Sequence, residues 1–248
     1  MSVLKNLAVF KNWYLFYAGR YGLLHKEFEI VLRSGLKVRV RPHTDDLSIL
    51  KSNFVTGHYL RGFSQITKGS VVVDAGAHIG CFSLLAATTA CKVLAFEPEP
   101  SNYQMLRKNV KLNNLKNVST FEMAVSGESG YQEMAIYGEG STGSHSLYSG
   151  SAAPLEKKRV ETISIGEIMK RESLPRIDFL KLDCEGAEHD IFKTMDKETA
   201  SRIMAVAMES HGIPGSCIDL PLRLRELGFE VKEEEGGGYV YARRAVPS

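Results

Sequence analysis

A carboxylate and two glycines follow a short run of valines early in the chain. Asp74 comes directly after three valines at 71–73, and Gly76 and Gly80 lie in the turn behind it. Consecutive β-branched residues favour a buried strand, and the apolar residues at 81–87 favour a helix. In α/β proteins such a strand–turn–helix unit lies at the carboxyl edge of the sheet, where cofactors bind. The segment therefore predicts a cofactor site centred on Asp74.

The spacing of the glycines distinguishes two cofactor classes. A dinucleotide turn needs G-x-G-x-x-G, in which the second and third glycines make room for a pyrophosphate and for close helix packing. Counted from Gly76, those positions hold His78 and Cys81, whose side chains would obstruct a pyrophosphate. S-adenosylmethionine has no phosphate, and its positively charged amino-acid portion suits Asp74, either directly or through water. The residues of this turn predicted to contact S-adenosylmethionine are Asp74, Ala75, Gly76, Ala77 and Gly80.

Glu97 supplies a second carboxylate, at the end of the next strand pattern, KVLAFE. It follows Asp74 by about 20 positions, which is the offset of an acidic residue that binds ribose hydroxyls. Pro98 ends that strand and begins the turn beside the predicted cofactor. Two alternatives remain open: an NAD-dependent oxidoreductase on a related fold, and a cofactor-binding domain without catalytic activity.

The alternation of strand and helix patterns continues from residue 69 to residue 242. It predicts an α/β fold, with a doubly wound, mostly parallel seven-stranded sheet and an antiparallel strand near one edge. The predicted strands are residues 71–74, 92–97, 118–124, 177–183, 203–209, 229–231 and 239–242. Residues 69–248 are predicted to form the cofactor-binding domain. Residues 1–68 are predicted to form a small N-terminal α+β extension, with a hairpin at 28–41 and helices at 45–54 and 58–66.

Composition excludes several classes of protein. A formal net charge of +2 over 248 residues lacks the basic surface of a nucleic-acid-binding protein, so no nucleic-acid partner is expected. The four cysteines form no C-x-x-C pair, which argues against a zinc site or disulfides and favours a reducing, cytoplasmic location. No apolar run approaches the ~20 residues that span a bilayer. The aromatic cluster around Trp13 and Tyr17 indicates a helix packed on the main domain or on a second subunit, with peripheral membrane contact as the alternative.

Several longer motifs resemble those of the FkbM-type methyltransferases, a family of S-adenosylmethionine-dependent O-methyltransferases with the class I, Rossmann-like fold. The likeness covers most of the chain beyond about residue 28. Its most specific motif is FLKLDCEGAE, an apolar strand followed by Lys-x-Asp-x-Glu-Gly-x-Glu. His78 departs from the family pattern, in which Asn is common, and the resemblance implies that this position contacts the cofactor. The other matching motifs are VVVDAGAHIG, FEPEPSNYQMLRKNVKLNN, EMAVS and GSHSL.

The resemblance implies the transfer of a methyl group to a hydroxyl on a small-molecule or glycan acceptor, such as a sugar or a secondary metabolite. It also implies that Met123 and Ala124 lie beside the adenine, and that Tyr59 closes over the methionine end of the cofactor. Asp183 would face the methyl group and the acceptor. Its predicted position, at the end of a parallel strand, is also where the sites of this fold class gather.

An acceptor hydroxyl must lose its proton, and three residues are candidates for the base. Asp183 and Glu185 belong to the FLKLDCEGAE motif, and His211 follows the strand predicted at 203–209. Asp183, Glu185 and Glu209 have the oxygen ligands that a divalent metal prefers. Because no histidine or further aspartate strengthens that set, no metal is predicted.

Overall fold

Strands and helices alternate along the chain in this computed structural model, which describes residues 2–61, 66–136, 155–210, 218–234 and 238–244. The strands are β1 (Phe28–Val31), β2 (Lys37–Val40), β3 (Val71–Ala75), β4 (Lys92–Phe96), β5 (Val118–Phe121), β6 (Ala124–Val125), β7 (Gly130–Ile136), β8 (Glu156–Ile163), β9 (Phe179–Leu182), β10 (Ala205–Glu209), β11 (Glu230–Glu233) and β12 (Tyr239–Arg243). The helices are α1 (Ser2–Val9), α2 (Trp13–Arg20), α3 (Asp46–Lys51), α4 (Cys81–Ala87), α5 (Pro100–Leu112), α6 (Ile165–Arg171), α7 (Ala187–Thr194), α8 (Lys197–Ser201) and α9 (Leu220–Glu226). A π-helix at Ser52–Thr56 and a 3-10 turn at His58–Leu60 follow α3.

Seven strands form the main sheet in the order β11-β12-β10-β9-β3-β4-β5. β12 runs antiparallel to both of its neighbours, and the other pairs are parallel. This arrangement confirms the predicted doubly wound, mostly parallel sheet with an antiparallel strand near one edge. Chain order changes direction between β3 and β9, so the carboxyl ends of these two strands border the crevice in which such sheets bind ligands.

Two asparagine side chains join the β1–β2 hairpin to α5. Asn109 and Asn113 lie one helical turn apart, and each amide group pairs with both backbone polar groups of one residue of β2. Those residues are Arg39 and Lys37, and the four hydrogen bonds measure between 2.7 and 3.1 Å. Four residues of helix rise about 6 Å and two residues of strand about 6.8 Å, so the spacings match. The open edge of the hairpin is therefore satisfied by a helix of the main domain.

The N-terminal extension shares a hydrophobic core with the turn after β3. Phe10, Phe16 and Ile30 belong to one buried cluster with Ile79 of that turn and Leu84 of α4. Burying a large apolar side chain contributes roughly 1.5–3 kcal/mol. The extension is thus held beside the predicted cofactor turn, while the domain boundary at residue 68 stays a prediction. Among the described helices, none is both long enough and apolar enough to cross a bilayer.

Two elements near the predicted site depend on local contacts. The N-cap of α5 is Glu99, whose carboxylate accepts a hydrogen bond from Asn102 N at 2.7 Å. Pro100 occupies the first helical position, where its missing N–H is not needed. The strand predicted at 118–124 divides into two, because β6 leaves the main sheet and pairs with β8 in a separate sheet of three strands.

The predicted helices of the extension are shorter than expected. The helix predicted at 45–54 is α-helical only to Lys51 and then widens into the π-helix, which ends at Gly57 in the left-handed conformation (φ 64°). The helix predicted at 58–66 is a 3-10 turn over three residues, because the left-handed Gly57 interrupts the helical path before it. Residues 62–65 lie outside the described part of the chain.

Candidate functional site

A cleft opens at the carboxyl ends of β3, β4 and β9, and it encloses about 760 Å³ including its open mouth. The predicted residues that line it are Gly76, Ala77, His78, Glu97, Pro98, Ala124, Asp183 and Glu185. Its walls also include residues that were not predicted, namely Ile49, Asn53, Cys81, Phe82, Asn102, Val125, Met134, Lys181 and Cys184. Because Ile49 and Asn53 come from the N-terminal extension, that extension completes one wall of the cleft.

The turn after β3 is fixed by the strands on either side of it. The backbone N–H groups of Gly76 and Ala77 both donate to Phe96 O, at 3.0 and 2.9 Å. Gly76 has a φ of 74°, and a methyl group there would overlap the carbonyl oxygen of Asp183. Glycine is therefore required at this position both for the backbone conformation and for the close approach of the loop after β9.

Asp74 is fully buried; one of its carboxylate oxygens accepts a hydrogen bond, and the other lies in an ion pair. Ser83 Oγ donates to Oδ2 at 2.6 Å, and the Lys181 ammonium lies 3.2 Å from Oδ1. Asp74 does not reach the cleft wall. The carboxylate that was predicted to hold the amino-acid portion of the cofactor is therefore engaged by two side chains behind the turn.

Lys181 links the two sides of the cleft through a single buried ammonium group. Besides Asp74, its Nζ lies 3.5 Å from Asp183 Oδ2 and donates to Gly76 O at 2.6 Å. Burial alone would lower the pKa of Lys181, but the two carboxylates outweigh it and hold the pKa above its usual value. The lysine stays charged, and it connects the turn after β3 to the loop after β9.

Glu97 is buried like Asp74, but its partners are different. Oε2 accepts from His78 N at 2.8 Å, and Oε1 accepts from Glu99 N at 3.0 Å and from Asn102 Nδ2 at 3.5 Å. Burial raises the pKa of Glu97 to about 7, although these hydrogen bonds oppose the shift. Unlike Asp74, Glu97 lies on the cleft wall, where its carboxylate can meet a ligand.

His78 occupies a strained position in the same turn. Its φ of 51° is in the left-handed region, and its Nε2 lies 3.8 Å from Asp46 Oδ1. Burial lowers the pKa of His78 to about 4, so that the imidazole is neutral at physiological pH. Asp46 is itself held by Arg41, whose guanidinium approaches both carboxylate oxygens at 2.7 and 3.0 Å. An imidazole therefore takes up the space that a dinucleotide turn leaves open.

Asp183 and Tyr59 form the other side of the site. The Tyr59 hydroxyl donates to Asp183 Oδ2 at 2.6 Å and lies 3.3 Å from Glu209 Oε2. Burial and the neighbouring carboxylates hold the pKa of Tyr59 well above its usual value, so the phenol keeps its proton and acts as a donor. The contacts of Tyr59 and Lys181 converge on the same oxygen of Asp183, which fixes the orientation of that carboxylate.

The loop that carries Glu185 is shaped by Glu188. The Glu188 side chain is fully buried, and it accepts hydrogen bonds from Cys184 N at 2.6 Å and Gly186 N at 2.8 Å. Glu185 has a φ of 51° and lines the cleft. Within the FLKLDCEGAE motif, the second glutamate of EGAE is thus structural, and the first is placed beside Asp183.

Several predicted residues lie elsewhere. Tyr59, Ala75 and Met123 are buried next to the cleft without lining it, and Gly80 is the N-cap of α4. His211 and the GSHSL motif lie outside the described residues. Within the part of the chain that the structure describes, no cluster of three His, Cys, Asp or Glu side chains is arranged to hold a metal ion.

Lys181 is the principal residue that sequence reasoning missed. It belongs to the FLKLDCEGAE motif, in which the sequence predicts roles for Asp183 and Glu185 only. The signal was present, because a lysine between Leu180 and Leu182 in a buried strand must be paired with a carboxylate. Asp74 lies in the adjacent parallel strand, directly beside Lys181 in the register, and it is that partner.

Comparisons with known proteins agree with this architecture. A family model described as the methyltransferase FkbM domain matches residues 74–231. Methyltransferase 1 of Beauveria bassiana is 28% identical over 185 residues, covering 66% of this chain and 74% of that protein. The 31-O-demethyl-FK506 methyltransferase FkbM of Streptomyces tacrolimicus is 27% identical over 206 residues, covering 71% of this chain and 79% of that protein.

A solved structure supports the same fold. The methyltransferase FkbM of Methylobacillus flagellatus superposes with a TM-score of 0.51 at 16% sequence identity. The match covers 75% of this chain and 46% of that chain. Because the family model spans most of the chain, including the turn after β3 and the FLKLDCEGAE motif, this protein belongs to the FkbM methyltransferase family.

Proposed function

We propose that this protein is an S-adenosylmethionine-dependent O-methyltransferase that acts on a hydroxyl of a sugar, a glycan or a secondary metabolite. The observation that carries the proposal is the cleft that Glu97, the Gly76 turn and Asp183 line together. Glu97 belongs to the cofactor side of that cleft, and Asp183 belongs to the acceptor side. Family membership supports methyl transfer, and the chemistry of the cleft supports this cofactor and an acceptor that loses a proton.

The residues of the cleft fit S-adenosylmethionine. Ala124, Val125 and Met134 give an apolar wall suited to a flat adenine ring. Glu97 is an acceptor on the cleft wall and suits the two ribose hydroxyls. Gly76 has no side chain, so the backbone of this turn is accessible from the cleft. The part of the cofactor beyond its ribose can therefore lie against that backbone.

The same residues do not fit a dinucleotide. A pyrophosphate needs glycine where His78 and Cys81 stand, and both of these side chains line the cleft. The neutral imidazole of His78 offers no positive charge to compensate a pyrophosphate. The cleft therefore favours the sulfonium cofactor over NAD.

The acceptor side supplies hydrogen bonding and a proton acceptor. When bound, the cofactor supplies the methyl group that is transferred. Asp183 is positioned to accept a hydrogen bond, and then the proton, from the acceptor hydroxyl. Tyr59 and Lys181 hold the Asp183 carboxylate in one orientation, and the protonated phenol of Tyr59 cannot itself serve as the base. Glu185 and His211 remain further candidates for that base.

Incubation with S-adenosylmethionine carrying a labelled methyl group tests the proposal. Sugar nucleotides, lipid-linked glycans and polyketides with a hydroxyl are the acceptors to be screened. We expect label on oxygen in one of these classes, and we expect Asp183→Asn to lower the rate by about 100-fold, as for the loss of a general base. Asp196→Asn, a change at the N-cap of α8 outside the cleft, is the matched control and should leave the rate unchanged.

Two outcomes would contradict the proposal. Transfer only to nitrogen or to a carboxylate would refute hydroxyl methylation. A rate that is unchanged in Asp183→Asn would remove Asp183 from its proposed role.

A further inference from the structure

The engagement of Asp74 leaves the amino group of the cofactor without its expected partner. This inference rests on the proposed use of S-adenosylmethionine. The cofactor's amino group is an ammonium with three N–H donors, so it needs oxygen acceptors. Both oxygens of Asp74 already face Ser83 and Lys181 behind the turn, and Asp74 does not line the cleft. The acceptor must therefore come from another part of the cleft wall.

Asn53 carries an amide oxygen with no partner. The residue is 7% exposed and lines the cleft, and its Oδ1 accepts no hydrogen bond. Its Nδ2 donates to Ile49 O at 2.9 Å. That bond fixes the orientation of the amide, because exchanging the two atoms would place Oδ1 against a carbonyl oxygen. Leaving a buried acceptor unsatisfied costs free energy, so such groups call for a specific explanation.

The backbone around Asn53 is also unusual. Asn53 lies in the π-helix, Ser52–Thr56, that interrupts the helical path of the extension. Single-turn π-helices occur frequently at functional sites. This π-helix contacts α4, the helix that follows the Gly76 turn. Asn53 therefore lies towards the turn, whereas Glu97 and Ala124 mark the ribose and adenine side of the cleft.

We propose that Asn53 Oδ1 accepts a hydrogen bond from the α-amino group of bound S-adenosylmethionine. An amide oxygen attracts an ammonium group and repels a carboxylate, so the amino group is the part of the cofactor that it suits. The N-terminal extension then contributes directly to cofactor binding, and Asp74 has the separate task of holding Lys181.

Calorimetric titration with two ligands tests this assignment. One ligand is S-adenosylhomocysteine, and the other is its analogue in which hydrogen replaces the α-amino group. We expect Asn53→Ala to weaken S-adenosylhomocysteine binding by about tenfold, the effect of losing one hydrogen bond to a charged group. Binding of the deamino analogue should be unchanged.

Asn117→Ala is the matched control. Its amide donates to Ala87 O and Ala90 O, both at 2.9 Å, and Asn117 does not line the cleft, so its replacement should leave both affinities unchanged. The assignment would be overturned if Asn53→Ala weakened the binding of both ligands equally, or if it weakened the binding of neither. A change confined to the KM of the methyl acceptor would place Asn53 on the acceptor side and would also overturn it. If neither ligand binds the unaltered protein, the proposed function fails, and this inference fails with it.

Discussion

Asp74 and Glu97 end neighbouring parallel strands, and both are buried carboxylates, yet their surroundings differ. Asp74 is fully buried and faces the Lys181 ammonium at 3.2 Å. Glu97 is 6% exposed, lines the cleft and, within the described residues, takes part in no ion pair. The first carboxylate has a counter-ion inside the protein, and the second accepts mainly backbone N–H donors.

This difference indicates that Asp74 and Glu97 have different roles, although their positions in the sequence are similar. A buried charge that is neutralised by the protein contributes to the fold, because removing either partner leaves the other uncompensated. A buried carboxylate without a cation keeps a raised pKa and unused acceptor capacity for a ligand. Asp74 belongs to the first kind and Glu97 to the second. We therefore infer that Glu97 holds the cofactor and that Asp74 stabilises the turn.

The largest effect is expected from Asp74→Asn. The change keeps the shape of the side chain but leaves the Lys181 ammonium with Asp183 as its remaining carboxylate partner. Breaking a buried ion pair typically costs about 3–5 kcal/mol, and we expect a loss of that order in the free energy of unfolding measured with urea.

The matched control for that variant is the double replacement Asp74→Asn with Lys181→Met. Removing both charges should recover a substantial part of the lost stability, because no uncompensated ammonium then remains. Additive losses in the double variant would show that the two side chains do not depend on each other.

Glu97→Gln is expected to act on binding. The amide has one acceptor oxygen in place of two, and it presents N–H donors to the donors of His78 and Glu99. We expect the affinity for S-adenosylhomocysteine to fall by about 10- to 100-fold, equivalent to about 1.4–2.8 kcal/mol. Calorimetry measures it, and a Kd within about threefold of the unaltered protein would be evidence against ribose binding by Glu97.

The smallest effect is a pH dependence that originates from Glu97. Its pKa of about 7 means that the carboxyl group takes up a proton below neutrality and loses acceptor capacity. Binding of hydroxyl donors favours the charged form, so the Kd for S-adenosylhomocysteine should rise by up to about tenfold between pH 8 and pH 6. This dependence should be absent in Glu97→Gln, and a flat profile in the unaltered protein would contradict it.

The raised pKa of Glu97 makes the stability of the unliganded protein depend on pH in the direction opposite to ligand binding. The pKa of Glu97 is raised in the folded state, from 4.5 to about 7. Its contribution to the free energy of unfolding is therefore complete below pH 4.5 and is lost as the pH rises through 7. Ligand binding and unliganded stability should thus respond to pH in opposite directions over this range.

The sequence was sufficient for the sheet and for the position of the cleft. The valines at 71–73 and the strand segment before Glu97 are apolar on both faces of the sheet, as expected for buried parallel strands. Glycine and proline residues mark where these strands end. Their carboxyl ends define the site in any fold of this class. The prediction of Gly76, Glu97 and Asp183 near one another therefore needed only the order of the elements.

The remaining features depend on contacts between distant parts of the chain. Nothing local shows that Lys181 reaches Asp74, because that contact depends on the register between β3 and β9. Likewise, Asn53 looks like an ordinary helical residue until the π-helix places it on the cleft wall. Asn109 acquires its role only when β2 lies alongside α5. In each case the partner is fixed by tertiary packing.

The most direct test of the account is a side-by-side calorimetric titration of Asp74→Asn and Glu97→Gln with S-adenosylhomocysteine, under conditions in which both variants are folded. The account predicts that Glu97→Gln loses affinity by about tenfold or more, while Asp74→Asn stays within about threefold of the unaltered protein. The reverse result, strong loss in Asp74→Asn with Glu97→Gln unchanged, would contradict it and would return the cofactor to Asp74.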